Sequence, residues 1–388
     1  MRVIGVMSGT SYDAIDVAAA DLELRDDAVV LHPLGARSVA YAGELRARIA
    51  DGLPPAQTSY EQVCRLDTEL GHVFADAAAL GMRELCDGSA DLVVSHGQTV
   101  YHWVDEGGRA QGTLQLGQPA WIAERTGLPV VSDLRSRDVA RGGNGAPLVS
   151  IFDVLLLGGA GGPRAALNLG GIANLTVVGG SAEPLAYDVG PANALVDAAT
   201  TELCGDPFDA DGRRAASGTI HEGLLATLLD EPYYATSPPK STGKELFHWG
   251  YVRERLHALQ PVDVDDVVAT LTELTARTVA DELGRRGVVE LFASGGGVRN
   301  ARLMQRLAEL AGRGCTVRTI DELGVGADEK EAYAFALLGF LTMHGLAGTI
   351  PSCTGASGPS VLGSITPGAS ALRLPAPVGE PPTRLTIA

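Results

Sequence analysis

Cysteine, positive charge and long apolar runs are all scarce in this chain, and each scarcity excludes something. Its 388 residues hold five cysteines: Cys64, Cys86, Cys204, Cys315 and Cys353. The number is odd and no two stand at C-x-x-C spacing. A disulfide framework and the usual zinc spacings are therefore out, and such scattered thiols fit a reducing compartment. Lys and Arg together number 30 against 47 Asp and Glu, a formal charge of −17. That balance excludes a nucleic-acid surface or an anionic membrane as partner, although an acidic protein can still hold a local basic pocket for a small anion. No run approaches the ~20 apolar residues of a membrane span. The chain opens directly on a strand pattern, without a basic-then-apolar leader, and the expectation is a cytoplasmic protein.

What is present is ordinary globular material. Hydrophobic residues make up 45% and charged residues 20%, and the length suggests two or three domains at ~150 residues each. The opening stretch is the most informative. Apolar Val3, Ile4 and Val6 precede MSGTSYDAID (Met7 to Asp16), and Ile15, Val17, Ala18, Ala19 and Ala20 close it. This reads as a strand, a tight polar turn and a returning strand. Gly9 admits close backbone approach, and Ser8, Thr10 and Ser11 supply hydroxyls. Consecutive turn amides can cradle an anion. Asp13 and Asp16 are carboxylates of the kind that hold hydrated magnesium against phosphate. The spacing is not that of a P-loop, which needs a Lys after the last Gly; the bland alternative is a polar hairpin turn.

Further along, Ala42 to Leu85 reads as helical and Asp91 to Ser95 as a buried strand, with His96 and Gln98 just past its carboxyl end, where open α/β sheets bind ligands. Pro119 opens a helix that Gly127 ends. The stretch Ser132 to Pro147 carries Arg135, Arg137 and Asp138 ahead of Gly142, Gly143 and Gly145. It is either a solvated loop or an Arg fork for a carboxylate or phosphate. A second strand–Gly turn–strand unit starts at Ala165, turns at Gly170 and Gly171, and leads through Asp188 and Gly190 into a helix; with the opening hairpin it suggests a diverged duplication. Val264 to Leu283 reads as a helix with one apolar stripe and Asp263 as N-cap. Leu291 to Ala293 feeds Gly295, Gly296 and Gly297, with Asn300 capping the next helix, a junction suited to phosphate or nucleoside. Glu331 to Leu341 reads as another apolar helix. The tail has a short strand expected near Val361 and Leu362, and from Pro375 it reads as loosely ordered. Glycine-rich joints at Gly142–Gly143, Gly158 to Gly162 and Gly348 are candidate hinges.

These segments together resemble the anhydro-N-acetylmuramic acid kinases. The resemblance rests on MSGTSYDAID, SHGQT, the loop from Asp133 to Pro147, LNLGGIAN, YDVGPANALVDA, DADGRRAASG, PPKSTGKELF, ATLTELTART, SGGGVRN and TGASGP, which follow one another over nearly the whole chain. It implies an α/β fold of two duplicated actin-like (ribonuclease H-like) domains with a central ATP cleft, with residues 1–132, completed by 348–388, as one domain and 133–347 as the other. It also implies a kinase that opens a 1,6-anhydro sugar with water and phosphorylates O6 from ATP with Mg2+, in peptidoglycan recycling, and a homodimer with the anhydrosugar and ATP as its small-molecule partners. By matching motif positions, Asp188 and Glu331 are the implied catalytic residues. Gly9, Thr10, Ser11, Tyr12, Asp13, Ala14, Ile15, Asp16, Gly170, Gly171, Gly190, Asn193, Gly295, Gly296, Gly297 and Asn300 hold the nucleotide, and Asp13 and Asp16 the metal. His96, Gln98, Arg135, Arg137 and Asp138 line the sugar pocket. The chain departs from the family pattern at Tyr12, Ala14, Asn144 and Ala192; an Ala in place of Gly matters if the backbone there has positive φ. The competing expectations are a kinase of the same fold for a neutral anhydrosugar such as levoglucosan, and an actin- or chaperone-like nucleotide-binding module without sugar chemistry.

Overall fold

The computed structural model describes residues 1–159, 161–257, 259, 261–376 and 378–388. Ala160, in the Gly158 to Gly162 joint, and Pro377, in the tail, lie outside the described residues. Fourteen strands run along the described chain: β1 (Arg2–Ser8), β2 (Ala14–Arg25), β3 (Ala28–Ala40), β4 (Leu92–Ser95), β5 (Gln98–Val104), β6 (Ala110–Leu116), β7 (Val130–Ser132), β8 (Arg164–Leu169), β9 (Ile172–Val178), β10 (Leu185–Pro191), β11 (Glu290–Ser294), β12 (Thr316–Thr319), β13 (Ser364–Thr366) and β14 (Arg384–Ile387). They fall into two compact units, Met1–Leu156 with Glu329–Ala388, and Leu157–Asp328. The first unit thus takes in residues 133–156 and 329–347, which the sequence reading assigned to the second domain.

The first unit is built on a seven-stranded sheet in the order β13-β7-β4-β1-β2-β3-β14. β1, β2 and β3 form an antiparallel meander, while β4 and β7 join β1 in parallel. Ile4, Val6, Ile15, Val17 and Ala19 of the meander pack with Leu70, Phe74 and Ala78 of the helix Tyr60–Leu85 in one core. The helix starts at a capping box between Ser59 and Gln62, which satisfies two otherwise orphaned backbone donors. The helix Lys330–Met343 is buried all round except at Glu331. It lies so close to β1 that a Cβ on Gly5 would sit 2.1 Å from the Ala332 carbonyl oxygen.

The second unit repeats this plan. Its sheet runs β10-β9-β8-β11-β12, with β8, β9 and β10 antiparallel and β11 and β12 parallel to β8. In each unit, then, the first three strands form the meander, and two crossover strands extend it from the first strand's other side. This is the duplicated actin-like α/β fold. The helix Val264–Arg286 starts at Asp263, whose side chain accepts from the Asp265 amide, and it ends at left-handed Gly287. It is buried on more than the expected single stripe: Thr270, Thr272 and Glu273 are as deeply buried as Leu271 and Leu274, and its first half packs in one apolar cluster (Val267 to Leu274) while its second half packs in another (Ala276 to Leu283).

Three local expectations are corrected. The tail strand lies at Ser364–Thr366 rather than at Val361 and Leu362. The end of the chain is ordered as β14, paired in parallel with β3 and tied by Thr383 and Arg384 to Asp27. The loop after β7 contains a short helix, Ser136–Ala140.

Candidate functional site

In the first unit the polar residues gather where β1 and β4 end. Gly9 to Asp13 form the β1–β2 turn, closed by the Tyr12 amide donating to the Gly9 carbonyl at 3.2 Å. Tyr12 has a φ of +42°, a sparsely populated region for a bulky side chain, and it packs against the core beneath. Ala14 and Asp16 begin β2 and are half-buried, while Ile15 is fully buried. Asp13 Oδ1 accepts from the Ser11 hydroxyl at 2.7 Å and from the Ala14 amide at 3.0 Å, which leaves Oδ2 open to solvent. Behind the turn, buried Ser8 donates to Gln98 Oε1 at 2.5 Å and accepts from the Tyr41 hydroxyl at 2.8 Å. Gln98 Nε2 in turn donates to the Gly9 carbonyl at 3.2 Å. Gln98 therefore fixes the turn from below.

His96 is buried, and its ring lies 4.7 Å from that of Phe335. Arg135 Nε donates to its Nε2 at 3.0 Å, so the ring proton sits on Nδ1, which donates to the Gly97 carbonyl at 2.8 Å. Burial, with Arg135 adding to it, pushes the His96 pKa down to about 3. The imidazole is neutral and both nitrogens are used inside the protein. Arg135 spends a second donor on the Gly145 carbonyl at 2.6 Å; burial lowers its pKa to about 10, against the opposing pull of Glu331 and Asp138. Asp138 is fully buried, and its carboxylate accepts from the Gly145 amide at 2.7 Å and from Thr354 at 2.8 Å. It pins the loop: a Cβ on Gly143 would lie 2.2 Å from its Oδ2. Of this group Arg137 is the exposed member.

In the second unit Asp188 stands at a bulge in β10, between its pairings with Asn174 and Gly190's with Ala173. Bulges re-aim side chains at the edges of sheets. Its Oδ1 accepts from Asn174 Nδ2 at 3.0 Å, and its Oδ2 from the Ser241 hydroxyl at 2.8 Å and the Thr242 amide at 3.0 Å. A carboxylate offers about four acceptor positions, so one remains, on Oδ1. The turn at Gly170 and Gly171 closes over the next helix: the Asn193 and Ala194 amides donate to the Gly170 and Gly171 carbonyls at 3.0 Å each, and Asn193 Nδ2 donates to Leu169 at 3.1 Å. Ala192 has a φ of −113°, so its Cβ meets no left-handed penalty. Gly295 to Gly297 turn out of β11, and Asn300 Oδ1 caps the helix Ala301–Ala311 by accepting from the Leu303 amide at 2.9 Å.

Sequence reasoning quoted PPKSTGKELF as a motif but passed over Ser241 and Thr242 within it, which touch Asp188. Their signal was the motif itself, next to no other chemistry. Lys240 is neither a surface group nor a free phosphate ligand: it is buried, its ammonium 4.8 Å from the Tyr233 ring centre and 4.0 Å from Glu282. Also unanticipated is a buried ion pair in the first unit, Lys330 to Asp153 at 2.7 Å. Among the described residues no three or more of His, Cys, Asp and Glu gather as a metal site, and no helix is long and apolar enough to cross a membrane.

The model of the anhydro-N-acetylmuramic acid kinase family matches residues 1–368. A protein of Streptomyces coelicolor named anhydro-N-acetylmuramic acid kinase is 59% identical over 389 residues, covering 100% of this chain and 99% of its own length. One of the same name from Rhodococcus erythropolis is 58% identical over 381 residues, covering 96% of each chain. Among solved structures, the activator of the 2-hydroxyisocaproyl-CoA dehydratase from Clostridium difficile, with bound ADPNP, is similar at a TM-score of 0.43 and 12% identity, over 88% of this chain and 94% of that one.

Proposed function

The chain belongs to the anhydro-N-acetylmuramic acid kinase family, and from that premise we propose how its residues divide the work of an ATP-dependent kinase that opens 1,6-anhydro-N-acetylmuramic acid with water and phosphorylates O6. The observation that carries the activity is the family match along residues 1–368. The geometry of Asp188 supports the rest. Three donors hold its carboxylate in one orientation and leave one acceptor position on Oδ1 for a water molecule. Asp188 takes a proton from that water as its oxygen bonds to the anomeric carbon. The bond from that carbon to O6 breaks with its electron pair on O6. O6 then bonds to the γ-phosphorus of ATP, ADP leaves, and the proton passes to solvent. The products are N-acetylmuramate 6-phosphate and ADP, in anhydrosugar catabolism and peptidoglycan recycling.

The β1–β2 turn, Gly9 to Asp16, steadies the transferring phosphoryl group. Gly170, Gly171, Gly190 and Gly295 to Gly297 hold the remaining phosphates and the nucleoside, with Asn193 and Asn300 fixing the backbone there. Mg2+ fits this turn: magnesium prefers one or two carboxylates plus phosphate and water, and Asp13 Oδ2 is open while Asp16 stands close in sequence on β2. Bound there, the ion would neutralise charge on the phosphates. Glu331, in the field of Arg135, is the second acidic residue of the reaction. His96, Gln98, Arg135 and Asp138 shape the sugar pocket from behind, since their polar atoms are spent on one another and on the backbone. Arg137 is exposed, and among the described residues no partner takes its guanidinium, which leaves it for the lactyl carboxylate. We further take the protein to be a cytoplasmic homodimer, on the family resemblance and its five unpaired cysteines; sedimentation velocity tests the dimer.

The deciding experiment measures ADP release with and without anhydro-N-acetylmuramic acid and with levoglucosan. Release that depends on the muramic sugar, with phosphate recovered on O6, is expected. Release indifferent to either sugar would leave only a nucleotide-binding module. Arg137→Lys is expected to raise KM for the muramic sugar by about tenfold, the worth of one lost bidentate pair, and to leave turnover of levoglucosan, where measurable, unchanged. Equal losses on both sugars would assign Arg137 to the loop alone.

A further inference from the structure

Asp188 is held at its amide, its carbonyl and its carboxylate by residues between Tyr233 and Thr242, of which Ser241 and Thr242 are two of the three carboxylate donors described above. Its amide donates to the Lys240 carbonyl at 3.2 Å, and its own carbonyl accepts from the Tyr233 hydroxyl at 2.8 Å. Ser241 and Thr242 then reach its Oδ2. The segment has an anchor. The Lys240 ammonium donates to the Tyr233 carbonyl at 3.3 Å, lies over the Tyr233 ring and faces the buried carboxylate of Glu282. Glu282 is itself fixed by the Tyr187 hydroxyl at 2.8 Å and by Arg285 at 2.6 Å. A buried ammonium so enclosed is costly to move. The two residues after it are therefore delivered to Asp188 at a fixed place, although Ser241 itself is exposed.

We infer that Lys240 to Thr242 is a positioning strap for Asp188, with Ser241 the residue that orients the carboxylate. This rests on the reading of Asp188 as the base. Physically, a hydroxyl donating to Oδ2 blocks rotation that would turn the open acceptor position of Oδ1 away. Loss of the hydroxyl removes this restraint without touching substrate.

The test compares Ser241→Ala, Ser241→Thr and Asp188→Asn in the full chain. For Ser241→Ala we expect kcat to fall about tenfold, the size of one charge-assisted hydrogen bond, with KM for the sugar unchanged. Ser241→Thr should restore kcat. Wild-type kcat in Ser241→Ala, or a loss that Ser241→Thr does not restore, beside an inactive Asp188→Asn, overturns the strap and leaves the base standing. Full turnover in Asp188→Asn overturns both.

Discussion

At the scale of single residues, the sharpest statement concerns Asp188. With three donors on its carboxylate, replacing it by Asn keeps the size and most of the packing but removes the proton acceptor. Turnover of Asp188→Asn is expected to fall by ~10²–10⁴, the usual worth of a general base, while ATP and sugar still bind by calorimetry. Near-normal turnover would remove it from the mechanism. The glycines divide more subtly. A Cβ on Gly297 would lie 2.6 Å from the Leu169 Cβ, so this glycine is required by the chain's own packing. A Cβ on Gly296 meets nothing within 4 Å, and one on Gly9 only the Ser11 hydroxyl at 3.9 Å; the protein itself leaves them room. Gly297→Ala is therefore expected to cost about 1–3 kcal/mol of stability through overpacking. Gly296→Ala and Gly9→Ala should leave the melting temperature alone and raise KM for ATP several-fold. A destabilised Gly296→Ala with normal KM would reverse the assignment. The residue types were legible in the sequence because Gly, Asp and Arg announce turns and charge. Their partners were not: that Arg135 is spent on His96 and Gly145, or that Asp138 is a loop pin, depends on contacts across 39, 10 and 216 positions of chain.

At the scale of elements, what the sequence revealed follows the reach of the signal. The opening hairpin, the strand Leu92–Ser95, the helix from Pro119 to its Gly127 stop, the helix capped by Asp263 and the cap at Asn300 all have local causes, and all stand where they were expected. The strand β3 was missed because only its first four residues are buried and its apolar alternation is broken by Pro33 and Gly35. The ribbon β5–β6 was missed because its aromatic residues Tyr101 and Trp103 face solvent, which is not the burial pattern that marks a strand. The helix Lys330–Met343 was read as apolar, but its first residue hides an ion pair. Lys330 and Asp153 are both buried, and the contact between them is ionic rather than a well-directed hydrogen bond. Removing one partner strands the other's charge. Lys330→Met alone is expected to cost about 3–5 kcal/mol in urea unfolding, and Lys330→Met with Asp153→Leu to recover most of it. If the double variant is as unstable as the single, the pair is not what holds this helix.

At the scale of the whole molecule, the duplicated plan places opposite electrostatic problems in the two units. In the first, His96 is buried neutral, with its pKa at about 3 instead of 6.5. The unfolded chain takes up that proton first, so the contribution of His96 is fully present above pH 6.5 and is lost as pH falls from 6.5 toward 3. His102 on β5, its pKa lowered by desolvation and by Arg135, acts in the same direction. In the second unit burial, with Asp209 adding to it and Lys244 opposing, raises the Asp197 carboxyl to about 6 from 3.8. Here the folded state binds the proton first, so stability is gained as pH falls from 6 toward 3.8. Glu273, held by Arg306 and Arg277, has its pKa below 4.5 and withdraws its support only beneath that range. Between pH 6.5 and 4.5, then, acid is expected to weaken the first unit and strengthen the second. The tryptophans allow the two to be read apart, since Trp103 and Trp121 belong to the first unit and Trp249 to the second. In urea titrations, Trp249→Phe protein should show a midpoint that falls from pH 7 to pH 5, and protein retaining Trp249 alone a midpoint that holds or rises. His96→Gln should flatten the first slope, and Asp197→Asn the second. Parallel slopes for both reporters would show that neither buried group governs the acid response, and that the −17 charge of the chain acts on both units alike.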